Sequence, residues 1–196
     1  LWQNDILRDF SFKLDLQRRE ESINAALSAL LPLTSPVSTK YLFWPIDENW
    51  TLYFDNGVDG TDAAPPQVLS SRLRTDAIRV VMSDQLTDPS TRQVTSFGAT
   101  ILEYYCEGNN RRTVYASNDG GSWKFGQYGE PFGFENRDDY TSKSKKDRFT
   151  HSLLLKYLNE LGVSLDTGVS LPKAKGVGYL LTKHGKMPVT YREHDF

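Results

Sequence analysis

Carboxylates placed beside aromatic residues are the first chemical signal in this chain. Asp55, Asp59 and Asp62 follow an alternating run, residues 50–54, in which Trp50, Leu52 and Phe54 share one face. Acidic side chains so spaced can gather round a cation, face a basic partner, or serve the backbone in turns and helix caps. The spacing lacks the alternate oxygen ligands and closing Glu of an EF-hand loop, so no metal is expected. Asp55-Asn56-Gly57 reads as a tight turn with positive φ, and Thr61 or Asp62 as a cap for the helix after it.

A second acidic group, Glu130 and Glu135, brackets Phe132 and Phe134. With Glu103, Glu107 and Asp119 these supply carboxylates, but acid catalysis needs a set separation and one raised pKa, and spacing alone gives neither. Cys106 is the only cysteine and sits in an apolar strand run, which suits packing. His151, His184 and His194 lack zinc-motif spacing, and no Gly-Lys-Ser/Thr follows the glycines at 120–121. No catalytic residue, metal or cofactor is therefore assigned.

Several elements must position these groups. Residues 10–16 alternate as a strand, and Ile23, Ala26, Leu27, Leu30 and Leu31 form a helical stripe within 18–31. Residues 40–44 and 50–54, joined by four residues, predict an antiparallel hairpin. A helix is expected over 65–75 and a strand over 77–82, then a loop over 84–92. Runs 101–106 and 111–117 flank Glu107-Gly108-Asn109-Asn110 and predict a second hairpin, sharing one core with the first. Trp123, Phe125 and Tyr128 add a third strand. Phe149, Leu153, Leu154, Tyr157, Leu158 and Leu161 repeat at three and four, predicting a long helix capped by Asp147 and ended at Gly162. Residues 177–182 read as a short strand. The expected architecture is one α+β domain over 1–196, with a mostly antiparallel or mixed sheet, about three packed helices, and a mobile tail from about 183.

With 23 basic and 25 acidic side chains, the formal charge is -2. Arg111, Arg112, Lys124 and residues 143–148 could build a basic patch with Trp123 and Phe125 as stacking rings, but the charge balance and interspersed acids argue against nucleic acid. No signal peptide or apolar stretch of about 18 residues is visible, so a cytoplasmic protein with no membrane partner is expected.

The aromatic residues in charged loops suit a binding surface better than a catalytic one. Three signatures carry a resemblance. Tyr41-Leu42-Phe43-Trp44-Pro45 leads to residues 50–57 and to Gly60-Thr61-Asp62; Trp123-Lys124-Phe125 precedes Gly129 and Phe134-Glu135; the long helix runs from Arg148 to Gly162. In these the chain resembles immunity proteins of bacterial interbacterial polymorphic toxin systems. The resemblance implies stoichiometric binding and neutralisation of a cognate secreted toxin domain, without turnover. From the residues themselves, the expected partner-binding set is Asp55, Asp59, Asp62, Trp50, Tyr53, Glu130, Phe132, Phe134 and Glu135. The alternative is a small hydrolase or nucleotide-processing enzyme that uses the acidic loops.

Overall fold

The computed structural model describes residues 13–58, 64–163, 176–185 and 189–194. Asp59, Asp62, Phe10 and Phe12 lie outside the described residues. The fold is mixed α+β, with three α-helices among the described residues and mostly antiparallel sheets. Contacts gather the chain into two compact units, Leu1–Asp62 with Leu165–Phe196, and Ala63–Ser164.

The first unit contains β1 (Lys13–Arg19), α1 (Ile23–Ser28), β2 (Leu33–Ser35), β3 (Lys40–Pro45) and β4 (Thr51–Asp55). The late strand β11 (Gly178–His184) enters the sheet between early ones, giving the order β1-β11-β3-β4. β1 pairs with β11 along its full length, from Lys13 opposite His184 to Arg19 opposite Gly178. That pairing overrides the helical expectation at Arg18 and Arg19, and α1 spans only six residues. Ser22 caps it by accepting the Ala25 N–H at 3.3 Å. The Lys40 ammonium donates to the carbonyls of Ala29 and Leu31 just past its C-terminus. Its buried Ile23 and Ala26 join Leu30, Leu42, Trp44 and Leu180 in a core. Gly178 allows the Trp44 ring to approach, since a Cβ there would lie 2.2 Å from Trp44 Cε3. Within the tail expected to be mobile, β12 (Arg192–His194) pairs with β2.

The second unit begins with α2 (Ala64–Leu73), whose first turn holds Pro65 and Pro66, where missing N–H groups cost little. It ends at Arg74, whose φ is 51°. β5 (Asp76–Ser83), β8 (Ala99–Cys106), β9 (Asn109–Ser117) and β10 (Lys124–Tyr128) form a sheet of order β10-β9-β8-β5. The β8–β9 turn is tight, with positive φ at Glu107 and Gly108. The expected loop at 84–92 contains a strand instead. β6 (Leu86–Thr87) pairs with β7 (Val94–Ser96).

Two 3₁₀ turns, η1 (Arg137–Thr141) and η2 (Lys145–Arg148), precede α3 (His151–Glu160). Thr150, not Asp147, caps α3, accepting the Leu153 N–H at 3.3 Å. Asp147 falls inside η2, a turn too early. Gly162 follows the helix at φ 81°, as a C-terminal glycine should. Leu154, Tyr157 and Leu158 are buried, and α3 packs on β8. Both expected hairpins form, β3–β4 in the sheet of the first unit and β8–β9 in that of the second.

Candidate functional site

The site in the second unit starts from an alternation. Arg112 is in phase with Val114 and Ala116, and all three are buried along β9. A guanidinium at an inward position must be neutralised and its donors filled. Glu135, on the loop after β10, does both. Arg112 Nε donates to Oε1 at 2.8 Å and Nη2 to Oε2 at 2.6 Å. Nη2 also reaches Gln127 Oε1 at 2.8 Å, and Nη1 the carbonyls of Tyr128 and Gly129 at 3.2 and 3.0 Å.

Glu135 is equally saturated. Oε1 accepts the Phe132 N–H at 3.0 Å, and Oε2 accepts the Tyr140 hydroxyl at 2.7 Å. Tyr140 and Tyr157 hydroxyls meet at 2.8 Å. Burial pushes the Glu135 carboxyl up, but the Arg112, Tyr140 and Phe132 donors outweigh it and hold the group below the usual carboxylate range. Burial pushes the Tyr140 phenol well above its ordinary value, with Tyr157 and Glu135 adding to the shift. A carboxylate with two donors on each oxygen is locked as an anion. It has neither a proton to give nor a free lone-pair site for a substrate, so its work is structural.

That clamp shapes the surface above it. Gly129 turns at φ 79° with its Cα against the Arg111 carbonyl, where a Cβ would come to 1.9 Å. Tyr128, just before it, is 64% exposed. Beside it opens a cleft of about 530 Å³, lined by Tyr128, Glu130, Pro131, Arg137, Tyr140 and Thr141 among others. Glu130 and Arg137 are both exposed and give the cleft charge of each sign.

Of the sequence-based set, Glu130 lines this cleft, whereas Glu135 lies beneath it with a side chain 0% exposed. Phe132 and Phe134 are half-buried and stack on each other at 5.1 Å, with Tyr104 edge-on to Phe132 and Tyr157 edge-on to Phe134. Trp50, Tyr53 and Asp55 belong to the first unit. The Trp50 N–H donates to Asp47 Oδ1 at 2.7 Å, and Tyr53 packs against Tyr41 and Phe43. Asp55 Oδ1 accepts from the Ser38 hydroxyl at 3.0 Å and the Gly57 N–H at 2.8 Å, so that oxygen serves its local loop.

Asn56 departs from the expected turn. It is 0% exposed, and neither it nor Gly57 has positive φ. Its Oδ1 accepts the Thr39 and Lys40 N–H groups at 2.8 and 2.9 Å, while Nδ2 donates to the Pro32 carbonyl at 3.0 Å and Thr39 Oγ1 at 3.1 Å. It ties the loop before β3 to the end of β4.

Arg112, proposed from sequence as a member of a basic patch, is withdrawn from any such surface by its burial. Lys146 lies over the Trp123 ring at 5.5 Å and Arg148 over Phe125 at 5.6 Å, so both rings already carry a cation. Cys106 carries a thiol pushed up by the hydrogen bond it donates to the Asp76 carboxylate and by burial, which disfavours the reactive thiolate. His194 Nε2 and Ser35 Oγ meet at 2.9 Å across the β2–β12 ribbon. Among the described residues no third group is seen to orient that ring, and no cluster of three or more His, Cys, Asp and Glu could hold a metal. Nor is any helix among them long and apolar enough to cross a membrane.

Tyr128, read from sequence among the aromatic residues beside Glu130 and Glu135, and Arg137 both line the cleft but stand outside the expected partner-binding set. The one usable signal was phase: Arg112 alternates with Val114 and Ala116, which marks an inward arginine in need of a carboxylate. Comparison with protein-family models, curated proteins and solved structures finds no match to this chain.

Proposed function

We propose that this chain is a binding protein of the immunity type, acting in the cytoplasm by one-to-one contact with a secreted toxin domain and with no turnover. The supporting observation is Tyr128, a 64%-exposed aromatic at the mouth of a cleft carrying both Glu130 and Arg137. Rigid aromatic anchors ringed by polar groups are what protein interfaces concentrate their energy on. The buried Arg112 holds the Tyr128 and Gly129 carbonyls, so the anchor is fixed before a partner arrives. Fixing it beforehand lowers the entropy lost on binding.

The opposite charges at the rim would speed encounter and select the partner's register. Such a binder blocks its target by occupying the target's surface and requires no catalytic group of its own. The test is co-expression in bacteria with a secreted toxin domain encoded beside this chain's gene. The proposal expects restored growth and a one-to-one complex, both lost with Tyr128→Ala. A gene neighbourhood with no such domain, or a toxin neither bound nor neutralised, contradicts it.

A further inference from the structure

The strand β5 leaves an unexplained apolar edge. It is the edge of its sheet, with β8 as its sole neighbour among the described residues. Opposite the buried Leu102 and Thr100 it places Val80 and Met82, which are 36% and 41% exposed. Edge strands normally carry a lysine, a proline or a bulge that stops another strand from adding. Along β5 the only basic residue is Arg79, and its guanidinium is turned to the other face, 3.2 Å from Glu103 Oε2.

The ends of β5 match one another. Leu73, three residues before the strand, is 67% exposed, and Leu86, three residues after it, is 57% exposed. An antiparallel two-fold would bring the first end of one copy beside the second end of the other.

We propose that β5 pairs with β5 of a second copy of this chain, joining two four-stranded sheets into one. The symmetry fixes the register. A two-fold normal to the sheet keeps like faces together, so one residue must lie on the axis and face itself. Centring on Arg79 would set two guanidinium groups opposite each other, which is unfavourable. Centring on Val80 sets Val80 against Val80 and Ile78 against Met82, extending the apolar face across the seam. Asp76 and Asp84 then fall opposite each other outside this apolar stretch, so salt should tighten the association by screening them.

The test is sedimentation of the full chain together with cysteine cross-linking in a Cys106→Ala background. The wild-type chain is expected to sediment as a dimer at micromolar concentration. Val80→Lys should be monomeric with an unchanged circular dichroism spectrum, and Leu73→Glu should weaken the dimer at least tenfold. Under mild oxidation Val80→Cys should cross-link to itself much faster than Met82→Cys, because only position 80 lies on the axis. A wild-type monomer, a folded Val80→Lys dimer, or equal cross-linking at both positions would overturn the proposal.

Discussion

Arg112 grips Glu135 through two parallel bonds, at 2.8 and 2.6 Å, with their side chains 1% and 0% exposed. The pair spans 23 positions of sequence and ties the inward face of β9 to the loop that follows β10. Its energetic meaning lies in what breaking it would leave behind. Removing either partner strands a buried charge at a cost of about 3–5 kcal/mol, while replacing both with apolar groups of similar size is far cheaper. Urea melts of Arg112→Met, Glu135→Leu and the double variant should show the double less destabilised than the sum of the singles. Strict additivity would mean that the pair is not coupled.

The same pair sets an acid limit. Glu135 titrates below the usual carboxylate range in the folded protein, so the unfolded chain binds more protons in acid. The stability it contributes is fully present above the unfolded carboxylate pKa of about 4.3 and is lost as pH falls through the lower folded value. Urea midpoints measured from neutral to acid pH should fall over that window, and the fall should be shallower in Glu135→Gln. Equal slopes in the two proteins would assign the acid sensitivity to other groups.

Asn56 is expected to matter more than a loop asparagine does. Truncation to Ala would leave the Thr39 and Lys40 N–H groups and the Pro32 carbonyl without their side-chain partner inside the first unit. Unfilled buried groups cost about 1–3 kcal/mol each, and partial relaxation should hold the total near 3 kcal/mol. Thermal or urea unfolding of Asn56→Ala measures this directly. A loss under about 0.5 kcal/mol, the size of an ordinary surface change, would show the clamp to be dispensable.

Gly129 offers a probe of the anchor's seat. A methyl group there would collide with the Arg111 carbonyl, and the φ of 79° is itself unfavourable for alanine. Gly129→Ala should cost about 2 kcal/mol or more, since both clash and backbone strain oppose it. Gly133→Ala is the control, because a Cβ there meets nothing within 4 Å. Chemical denaturation of the two variants should separate them clearly. Equal stabilities would remove the argument that the Tyr128–Gly129 turn is rigidly seated.

Local pattern made several elements legible. The β8–β9 hairpin follows from two strand runs on either side of a Gly-containing turn, and α3 follows from its repeat at three and four. What stayed hidden depends on distant partners. Nothing near Arg18 or Arg19 announces that β11, some 160 residues later, will extend them into a strand. Asn56 carries a turn signature, yet the loop before β3 captures its side chain. Glu135 looks like a surface acid until Arg112 is seen facing it. Aromatic residues were legible as a class but not in direction: Phe132 and Phe134 pack inward, and Tyr128 points out.

The central claim, that this chain neutralises a toxin domain through the Tyr128 cleft, is tested most directly by isothermal titration. The wild-type chain and Tyr128→Ala would each be titrated with the purified toxin domain encoded beside the gene. Tyr128 is mostly exposed, so its truncation should change folding stability by no more than about 0.5 kcal/mol. The expected result is one-to-one binding by the wild type and a loss of about 2 kcal/mol in the variant, roughly thirtyfold in affinity. No binding by the wild type, or equal affinity in both proteins, would contradict the account.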